Sequence, residues 1–291
     1  MPHSNNVIQV ENQGWDERIL VFANDHLVQT FIVVSERYVV IIDTLINEAT
    51  GAKLLAAAKP YLSASRTLLV INSHADYDHA WGNQIFAGPT AVHPAPIIAH
   101  KASPKHFRNY EALRAEKISS DEPEIFGTLK ITEPTLLFDN SMVIAGGDLT
   151  LNLIYTPGHT DDHIAIQIPE IDTLLAMDSA ETPFPFARTD EAIQTMRDSL
   201  AKLAALDCET VLYCHAPVLT GKQLILDNIA YFDAIESACQ AALDNGLDLD
   251  TLPKEKNALI NSVGCAYADV VTEREAWPKI DPYYKQEGHT T

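Results

Sequence analysis

The sequence has little cysteine, little positive charge and no long apolar run, and each deficit excludes a class of protein. Its four cysteines form no CxxC pair, so a disulfide framework is not indicated and a reducing compartment is the default expectation. Lysine and arginine number 20 against 40 aspartates and glutamates, and the resulting net charge of −20 disfavours binding to nucleic acid or to anionic membrane surfaces. No stretch approaches the ~20 apolar residues that span a bilayer.

The first ten residues, MPHSNNVIQV, contain neither the basic region nor the apolar region of a secretory signal. We therefore expect a cytoplasmic protein whose partner is a small-molecule substrate, with no nucleic acid or membrane partner. The hydrophobic fraction of 46% is that of an ordinary globular chain and supplies enough material for a large core.

Apolar runs that favour strands alternate along the chain with stretches that favour helices. The predicted strands are Ile19–Phe22, Gln29–Val34, Tyr38–Asp43, Thr67–Asn72, Leu149–Tyr155, Ile164–Ile168, Thr173–Ala176 and Thr210–Tyr213. The predicted helices are Glu48–Tyr61, Asp190–Leu206 and Gln223–Asn245, with one or two helical turns over His79–Phe86. Two comparable halves, each with strands before and between helices, predict an α/β protein with two sheets packed face to face and helices outside.

The chain contains no low-complexity linker, so residues 1–245 are predicted to form one domain. Within it, residues 97–133 are more polar and less regular, and they are interpreted as an insertion or lid, or else as a surface pair of helices. Residues 246–291 are predicted to be a C-terminal extension that packs on the domain or on a neighbouring subunit, which leaves a homo-oligomer open.

Side chains that can bind metal follow several predicted strands. His74, His159, His215 and Asp178 each come after an apolar run, and the segment HADYDH at 74–79 holds two histidines and two aspartates. Ends of strands meet at one edge of a sheet, where sites are commonly built. Buried carboxylates of like charge need a cation or a proton nearby, so the pattern favours a metal site.

Each of these features alone has a structural explanation. Asp78 could cap a helix, the PGH at 157–159 could be a simple turn, and a lone histidine after a strand is more often a hydrogen-bonded structural residue. Four such features in order, each at the end of a predicted strand, favour metal binding over coincidence.

The order of these motifs resembles that of the metallo-β-lactamase superfamily. The motifs are HADYDH at 74–79, TPGHT at 156–160, Asp178 after an apolar strand, and CHAP at 214–217. The resemblance runs from about residue 15 to residue 245. It implies an αββα sandwich of two mixed β-sheets with a dinuclear metal site at one edge, and most members are hydrolases.

One position departs from the family's usual HxHxDH motif, because Asp76 stands where the second histidine is expected. The pattern is similar at this position to that of the flavodiiron proteins, which have a glutamate there and bind two irons. This chain has no GxGxxG loop for a flavin or a dinucleotide.

Carried over residue by residue, the resemblance implies seven metal ligands. They are His74, Asp76 and His159 for one ion, Asp78, His79 and His215 for the other, and Asp178 as the bridge. The additional carboxylate raises the share of oxygen ligands, which shifts preference from zinc toward iron or manganese. The expected cofactors are therefore two divalent ions, zinc or iron, with manganese as a further possibility.

The implied reaction is hydrolysis of a small ester, thioester, lactone or amide by a metal-bridging water. Asp78 is the candidate catalytic residue that orients this water. The alternative, which rests on Asp76, is a dinuclear non-haem iron oxidoreductase acting on oxygen, nitric oxide or a small organic substrate. A third possibility is a binding protein with a vestigial site, although all seven positions hold residues that can bind metal.

Three further residues lie beside these motifs. His163 is expected to support the loop rather than to bind metal, and Asp162 is a candidate to contact the second nitrogen of a ligand histidine. Cys214 should point away from His215 and into the core.

Overall fold

The computed structural model describes residues 3–187, 190–217 and 220–244. The proposed C-terminal extension, residues 246–291, lies outside this range, as does Asn245 at the predicted end of the last helix. No helix in the described ranges is long and apolar enough to cross a membrane.

Twelve strands of the described chain form two sheets. The strands of the first sheet are β1 (Val7–Gln9), β2 (Ile19–Asn24), β3 (Val28–Val34), β4 (Tyr38–Ile42), β5 (Thr67–Ile71), β6 (Ile97–His100) and β7 (Leu136–Phe138). They lie side by side in chain order, antiparallel from β1 to β4 and parallel from β4 to β7.

The second sheet is mixed in the same way. Its strands are β8 (Ser141–Ala145), β9 (Thr150–Tyr155), β10 (Ile164–Ile168), β11 (Thr173–Met177) and β12 (Thr210–Tyr213). Their spatial order is β12-β11-β10-β9-β8, in which β11 and β12 are parallel and the other pairs are antiparallel.

Helices cover the outer faces of this sandwich. They are α1 (Glu48–Ala58), α2 (Tyr77–Ala80), α3 (Ser103–His106), α4 (Ala112–Asp121), α5 (Pro123–Phe126), α6 (Asp190–Ala204) and α7 (Gln223–Asp244). Short 3-10 turns at Lys59–Tyr61, Trp81–Ile85 and Pro169–Ile171, and a π-helical turn at Phe107–Glu111, complete the helical elements of the described ranges.

The layers are held together by two hydrophobic clusters. One contains residues of both sheets, such as Val33 and Leu153, and extends to Leu54 on α1. The other packs α6 and α7 on the far side of the second sheet, through residues such as Met196 and Tyr231. Each fully buried aliphatic side chain contributes ~1.5–3 kcal/mol relative to an exposed one, so these interfaces dominate the stability of the sandwich. The predicted αββα architecture is confirmed.

The segment 97–133, interpreted from the sequence as an insertion or lid or as a surface pair of helices, contains one strand and several helices. Its first four residues are the buried strand β6 of the first sheet, and its remainder contains α3, α4 and α5. The helical part lies against the loop after β9, because Lys105 and His106 both contact the carboxylate of Asp161.

Four strands, β1, β6, β7 and β8, were not predicted from the sequence.

Candidate metal centre

Loops from both sheets meet at one edge of the sandwich and bring the seven predicted ligands together. The first sheet contributes the turn after β5, which continues into α2. The second sheet contributes the loop between β9 and β10 and the residues that follow β11 and β12. The parallel arrangement of β4 with β5 and of β11 with β12 explains the convergence, because parallel strands end at the same edge.

Unusual backbone geometry accompanies two of the strand ends. Asp43, directly after β4, has a φ of +63°, and Met177, directly before Asp178, has a φ of +53°. The pairing register between β11 and β12 also shifts between Leu175 and Met177. Left-handed conformations at residues other than glycine are costly and cluster at functional sites, so both point to a constrained function at this edge.

The turn that carries HADYDH brings its carboxylates toward the centre of the site. Asp76 occupies the N-cap position of α2, yet its side chain makes no capping hydrogen bond in the described helix. Gly82, just beyond α2, allows close packing, since a Cβ there would lie 2.1 Å from the carbonyl oxygen of Thr44. Asp78, which could have been a helix cap from the sequence, lies inside α2, and the N-cap position belongs to Asp76.

The TPGHT loop depends on a glycine for the position of His159. Gly158 has a φ of +145°, and a Cβ there would come within 2.4 Å of Met196 on α6. Glycine avoids both the conformational penalty and the clash. The loop can therefore pack closely on α6 while His159 turns toward the first sheet.

Three of the predicted ligands form a first group. The Nε2 atom of His159 lies 3.3 Å from Oδ2 of Asp76, and the Nε2 atom of His74 lies 3.5 Å from the same oxygen. All three side chains are buried, and their ligand atoms lie within 4.8 Å of one another. This group matches the set predicted for one ion.

Three others form a second group of the same kind. The Nε2 atom of His215 lies 3.2 Å from Oδ2 of Asp78 and 3.3 Å from Nε2 of His79. The ligand atoms of these residues also lie within 4.8 Å of one another. His215 is the most accessible of the seven, with 14% of its side chain exposed, so the site opens to solvent on this side.

Asp178 lies between the two groups. Its Oδ2 atom is 3.1 Å from Nε2 of His79, 3.3 Å from that of His215, and 3.5 Å from those of His74 and His159. One carboxylate oxygen thus faces one nitrogen from each of four histidines. This is the position that a bridging ligand would occupy.

Burial and neighbouring charges shift the pKa values of several side chains in this cluster. Burial lowers the pKa of His74 to about 3, with His79 contributing in the same direction. Burial also disfavours the charged form of His79, yet Asp178, Asp78 and Asp43 raise the pKa of its imidazole well above the ordinary value. Burial would raise the pKa of Asp178, but His79 and His215 hold it well below its usual range.

The donor atoms fit divalent metal ions. Within the described residues, Nε2 of His74 and Oδ1 of Asp178 are buried without a hydrogen-bond partner. A buried polar atom left unpaired costs about 1–3 kcal/mol, and a metal ion bound at these atoms would offset that cost. Four imidazoles and three carboxylates form a mixed nitrogen and oxygen set that suits zinc, iron or manganese.

Neighbouring side chains orient the cluster, and the sequence analysis missed two of them. Asp43 accepts hydrogen bonds from the backbone and hydroxyl of Ser73, and its Oδ2 atom lies 2.8 Å from Nδ1 of His79. Glu181 lies on the far side of His159, with Oε1 at 3.2 Å from Nδ1. Asp43 did carry a signal, because it directly follows an apolar strand. Glu181 carried none.

His163 supports the site from behind. Its Nε2 atom accepts a hydrogen bond from the backbone N–H of Asp178 at 3.1 Å, and its Nδ1 atom lies 3.1 Å from the carbonyl of Thr156. Burial holds the pKa of His163 well below its ordinary value, with His74 contributing, which suits a neutral ring with Nδ1 protonated. His163 therefore orients Asp178, in agreement with its predicted supporting role.

Two further expectations can be compared with the structure. Asp162 is fully buried, but its carboxylate accepts from the hydroxyl of Ser103 rather than from a ligand histidine. Cys214 is fully buried, as expected, and burial raises the pKa of its thiol well above the ordinary value.

An αββα sandwich with histidines and aspartates gathered at one edge defines a class of metallo-hydrolase folds. The chain belongs to the metallo-beta-lactamase superfamily, whose sequence profile matches residues 23–215.

Comparison with curated and solved proteins agrees with this membership. The chain is 25% identical over 232 residues to a hydroxyacylglutathione hydrolase of Rhodospirillum rubrum, a match that covers 76% of this chain and 75% of that protein. It resembles a solved metallo-beta-lactamase family protein from Thermus thermophilus with a TM-score of 0.57 and 19% identity, covering 92% and 93% of the two chains. A beta-lactamase domain protein from Burkholderia ambifaria gives a TM-score of 0.62 at 15% identity, covering 92% and 87%.

The two structural likenesses establish the fold alone. Membership of the superfamily, together with the match to a named hydrolase, supports the interpretation of the chain as a metal-dependent hydrolase.

Proposed function

We propose that this chain is a dinuclear metal-dependent hydrolase of a small acyl substrate, with a thioester as the first candidate and an ester, lactone or amide as related ones. The observation that carries the proposal is the position of Asp178, whose Oδ2 atom faces the Nε2 atoms of four histidines at 3.1–3.5 Å. A site for a single ion needs no carboxylate shared between two groups of ligands.

In this proposal each group of three side chains holds one ion, which is zinc or iron, with manganese as a further possibility. His74, Asp76 and His159 hold the first, and Asp78, His79 and His215 hold the second. Ions bound there would supply a polarised carbonyl group and a bound water with a pKa lowered toward ~7, which would allow hydrolysis near neutral pH.

The residues of the chain have distinct roles in such a reaction. Asp78 lies beside His215, where the site is most open, and its carboxylate can orient the attacking water by accepting a hydrogen bond from it. Burial would raise the pKa of Asp78, but His79 and His215 hold it below its usual range, so the carboxylate is charged at neutral pH. Asp43 and His163 keep His79 and Asp178 in place.

The thioester is placed first because of the match to a hydroxyacylglutathione hydrolase, whose name describes an acyl group carried by the thiol of glutathione. The match supports the reaction class more than the particular substrate, since the identity is 25%. We therefore include ester, lactone and β-lactam substrates as alternatives in the test.

The experiment is a hydrolysis screen on metal-loaded protein with four substrates: a hydroxyacyl thioester of glutathione, a simple aryl ester, a lactone and a β-lactam. We expect turnover of the thioester, loss of activity after chelation, and recovery on adding metal. An Asp139→Asn variant is a suitable control, because Asp139 makes an exposed ion pair with Lys101 and belongs to neither group of predicted ligands. Hydrolysis of none of the four substrates by protein with two bound ions would contradict the proposal.

A second candidate is a dinuclear iron oxidoreductase, and the observation that favours it is the carboxylate of Asp76 in the first group. A first group that includes a carboxylate suits iron better than the same group with three histidines would. Protein produced without added zinc separates the two candidates. Two irons per chain with an oxygen-sensitive absorption band would favour the oxidoreductase, whereas two zincs in colourless protein would favour the hydrolase.

A further inference from the structure

Glu181 places a buried carboxylate behind the imidazole of His159. Its Oε1 atom lies 3.2 Å from Nδ1 of His159, and only 9% of its side chain is exposed. The other nitrogen of the ring, Nε2, faces Asp76 and Asp178 in the centre of the cluster. The carbonyl oxygen of Phe186 also lies close to Nδ1, at 3.1 Å, and accepts its hydrogen bond.

The position of Glu181 is fixed from the opposite side by Asn228 on α7. The side-chain oxygen of Asn228 accepts from the backbone N–H of Glu181 at 2.9 Å, and its amide nitrogen donates to the carbonyl of Glu181, also at 2.9 Å. Asn228 is itself buried, with 2% exposure. Two hydrogen bonds from a buried residue on a long helix hold the backbone of Glu181, so its side chain lies beside His159 through the packing of the fold.

The Oε1 atom of Glu181 has no hydrogen-bond partner in the part of the chain that the structure describes. A buried carboxylate in this state is costly unless positive charge lies close to it. A neutral imidazole supplies little such charge. An imidazole whose Nε2 atom binds a cation would supply much more, because the cation draws electron density from the ring and leaves its Nδ1 side, next to Glu181, more positive.

We propose that Glu181 is a positioning residue for metal binding by His159, a role that rests on the proposed function. Its negative charge favours the form of His159 with the proton on Nδ1, which leaves the lone pair of Nε2 free for the ion. The same charge makes Nε2 a stronger electron-pair donor to that ion. Asp43 lies in the same relation to His79, with Oδ2 at 2.8 Å from Nδ1. Each of the two metal groups then contains one histidine with a buried carboxylate behind it.

This role predicts that the charge of Glu181 matters, and not only its size. A Glu181→Gln variant keeps the shape of the side chain and removes the charge, whereas Glu181→Ala removes both. If electrostatics dominate, the two variants weaken binding of one ion to a similar extent, by about 10–100-fold, which is the usual effect of losing a partner behind a metal-binding histidine. If packing dominates, the glutamine variant binds as the wild type does.

The test measures stepwise zinc affinity of the full chain by competition with a coloured chelator, and it does not depend on catalytic activity. Glu170→Gln serves as the matched control, since Glu170 bonds to the backbone of Thr150 and contacts none of the seven predicted ligands. Thermal unfolding of each metal-free variant shows whether the fold is intact. If Glu181→Gln folds poorly, Asn228→Ala provides a second test. This variant removes the hydrogen bonds that hold the backbone of Glu181, so it should lower the affinity for the same ion by a smaller factor.

The expected result is a wild type that binds two zinc ions and a Glu181→Gln variant that binds one with unchanged affinity and the other about 10–100-fold more weakly. Unchanged affinity for both ions in a folded Glu181→Gln variant would overturn the role of Glu181 and leave the proposed function standing. A wild type that binds no zinc, iron or manganese would overturn both.

Discussion

The Oδ2 atom of Asp76 lies 3.3 Å from the Nε2 atom of His159, inside the first group of predicted ligands. Asp76 is the residue that departs from the usual HxHxDH motif of the superfamily. The structure places its carboxylate among the other ligand atoms, where it makes no capping hydrogen bond to the described helix. A side chain in this position is suited to tune a metal pair.

Replacing Asp76 by histidine is therefore expected to keep two ions bound and to shift the preference from iron toward zinc. An imidazole is a softer ligand than a carboxylate and carries no negative charge, so the altered site should select zinc more strongly. Metal analysis after anaerobic loading with equal amounts of zinc and ferrous iron measures the change. Loss of both ions from the folded variant would show that Asp76 does not act as a ligand in the way proposed.

Asp43→Asn is expected to weaken metal binding without unfolding the protein. Asparagine tolerates the left-handed φ of +63° at this position, so the backbone can be retained. The loss of the negative charge next to Nδ1 of His79 should lower the affinity for one ion by about 10–100-fold. Chelator competition measures the affinity, and Asp139→Asn provides the control for removal of an exposed charge. Equal affinities in Asp43→Asn and the wild type would exclude an orienting role for Asp43.

The His163→Ala variant tests whether His163 supports the site or binds a metal ion itself. We expect the variant to retain two ions, because His163 contacts the backbone of Asp178 and not the centre of the cluster. The buried N–H of Asp178 would lose its acceptor at a cost of about 1–3 kcal/mol, with a further penalty for the cavity. Urea unfolding of metal-loaded protein measures this cost. Loss of one ion with unchanged stability would instead identify His163 as a ligand.

His159 makes one contribution to the pH dependence of the metal-free protein, and His79 and His215 contribute in the same direction. Burial lowers the pKa of His159, but Glu181 and Asp178 raise it to about 9, above its ordinary value of 6.5. Protonated His159 therefore stabilises the folded protein fully below pH 6.5, and this contribution is lost as the pH rises through about 9. Metal affinity should change in the opposite direction, because the ion competes with the proton.

Parallel titrations of stability and zinc affinity between pH 6 and 10 check this prediction. Proton release on zinc binding, followed with an indicator dye, gives an independent measure. Zinc affinity that does not change with pH over this range would contradict the assigned state of His159.

Much of the fold could be predicted from the sequence, because the central strands are continuous apolar runs and both faces of most of them are buried. Every residue of β3 is buried, for example, and its apolar character is local information. Strands such as β7 and β8 could not be predicted, since they are short and mostly exposed, and they form through pairing with distant partners.

The same distinction applies to the site. The seven predicted ligands follow apolar runs or lie in a dense local motif, which the sequence shows directly. The contacts behind the histidines depend on tertiary packing. Asp43 and His79 are 36 residues apart, and the backbone of Glu181, whose side chain lies beside His159, is held by Asn228 on α7. No local pattern indicates that these residues meet.

The central proposal is a metal pair that shares Asp178, and the metal content and thioester hydrolysis of wild type and Asp178→Ala test it most directly. We predict two ions per chain in the wild type, at most one in the variant, and loss of hydrolysis to background when Asp178 is removed. A folded Asp178→Ala variant that retains two ions and full activity would contradict it.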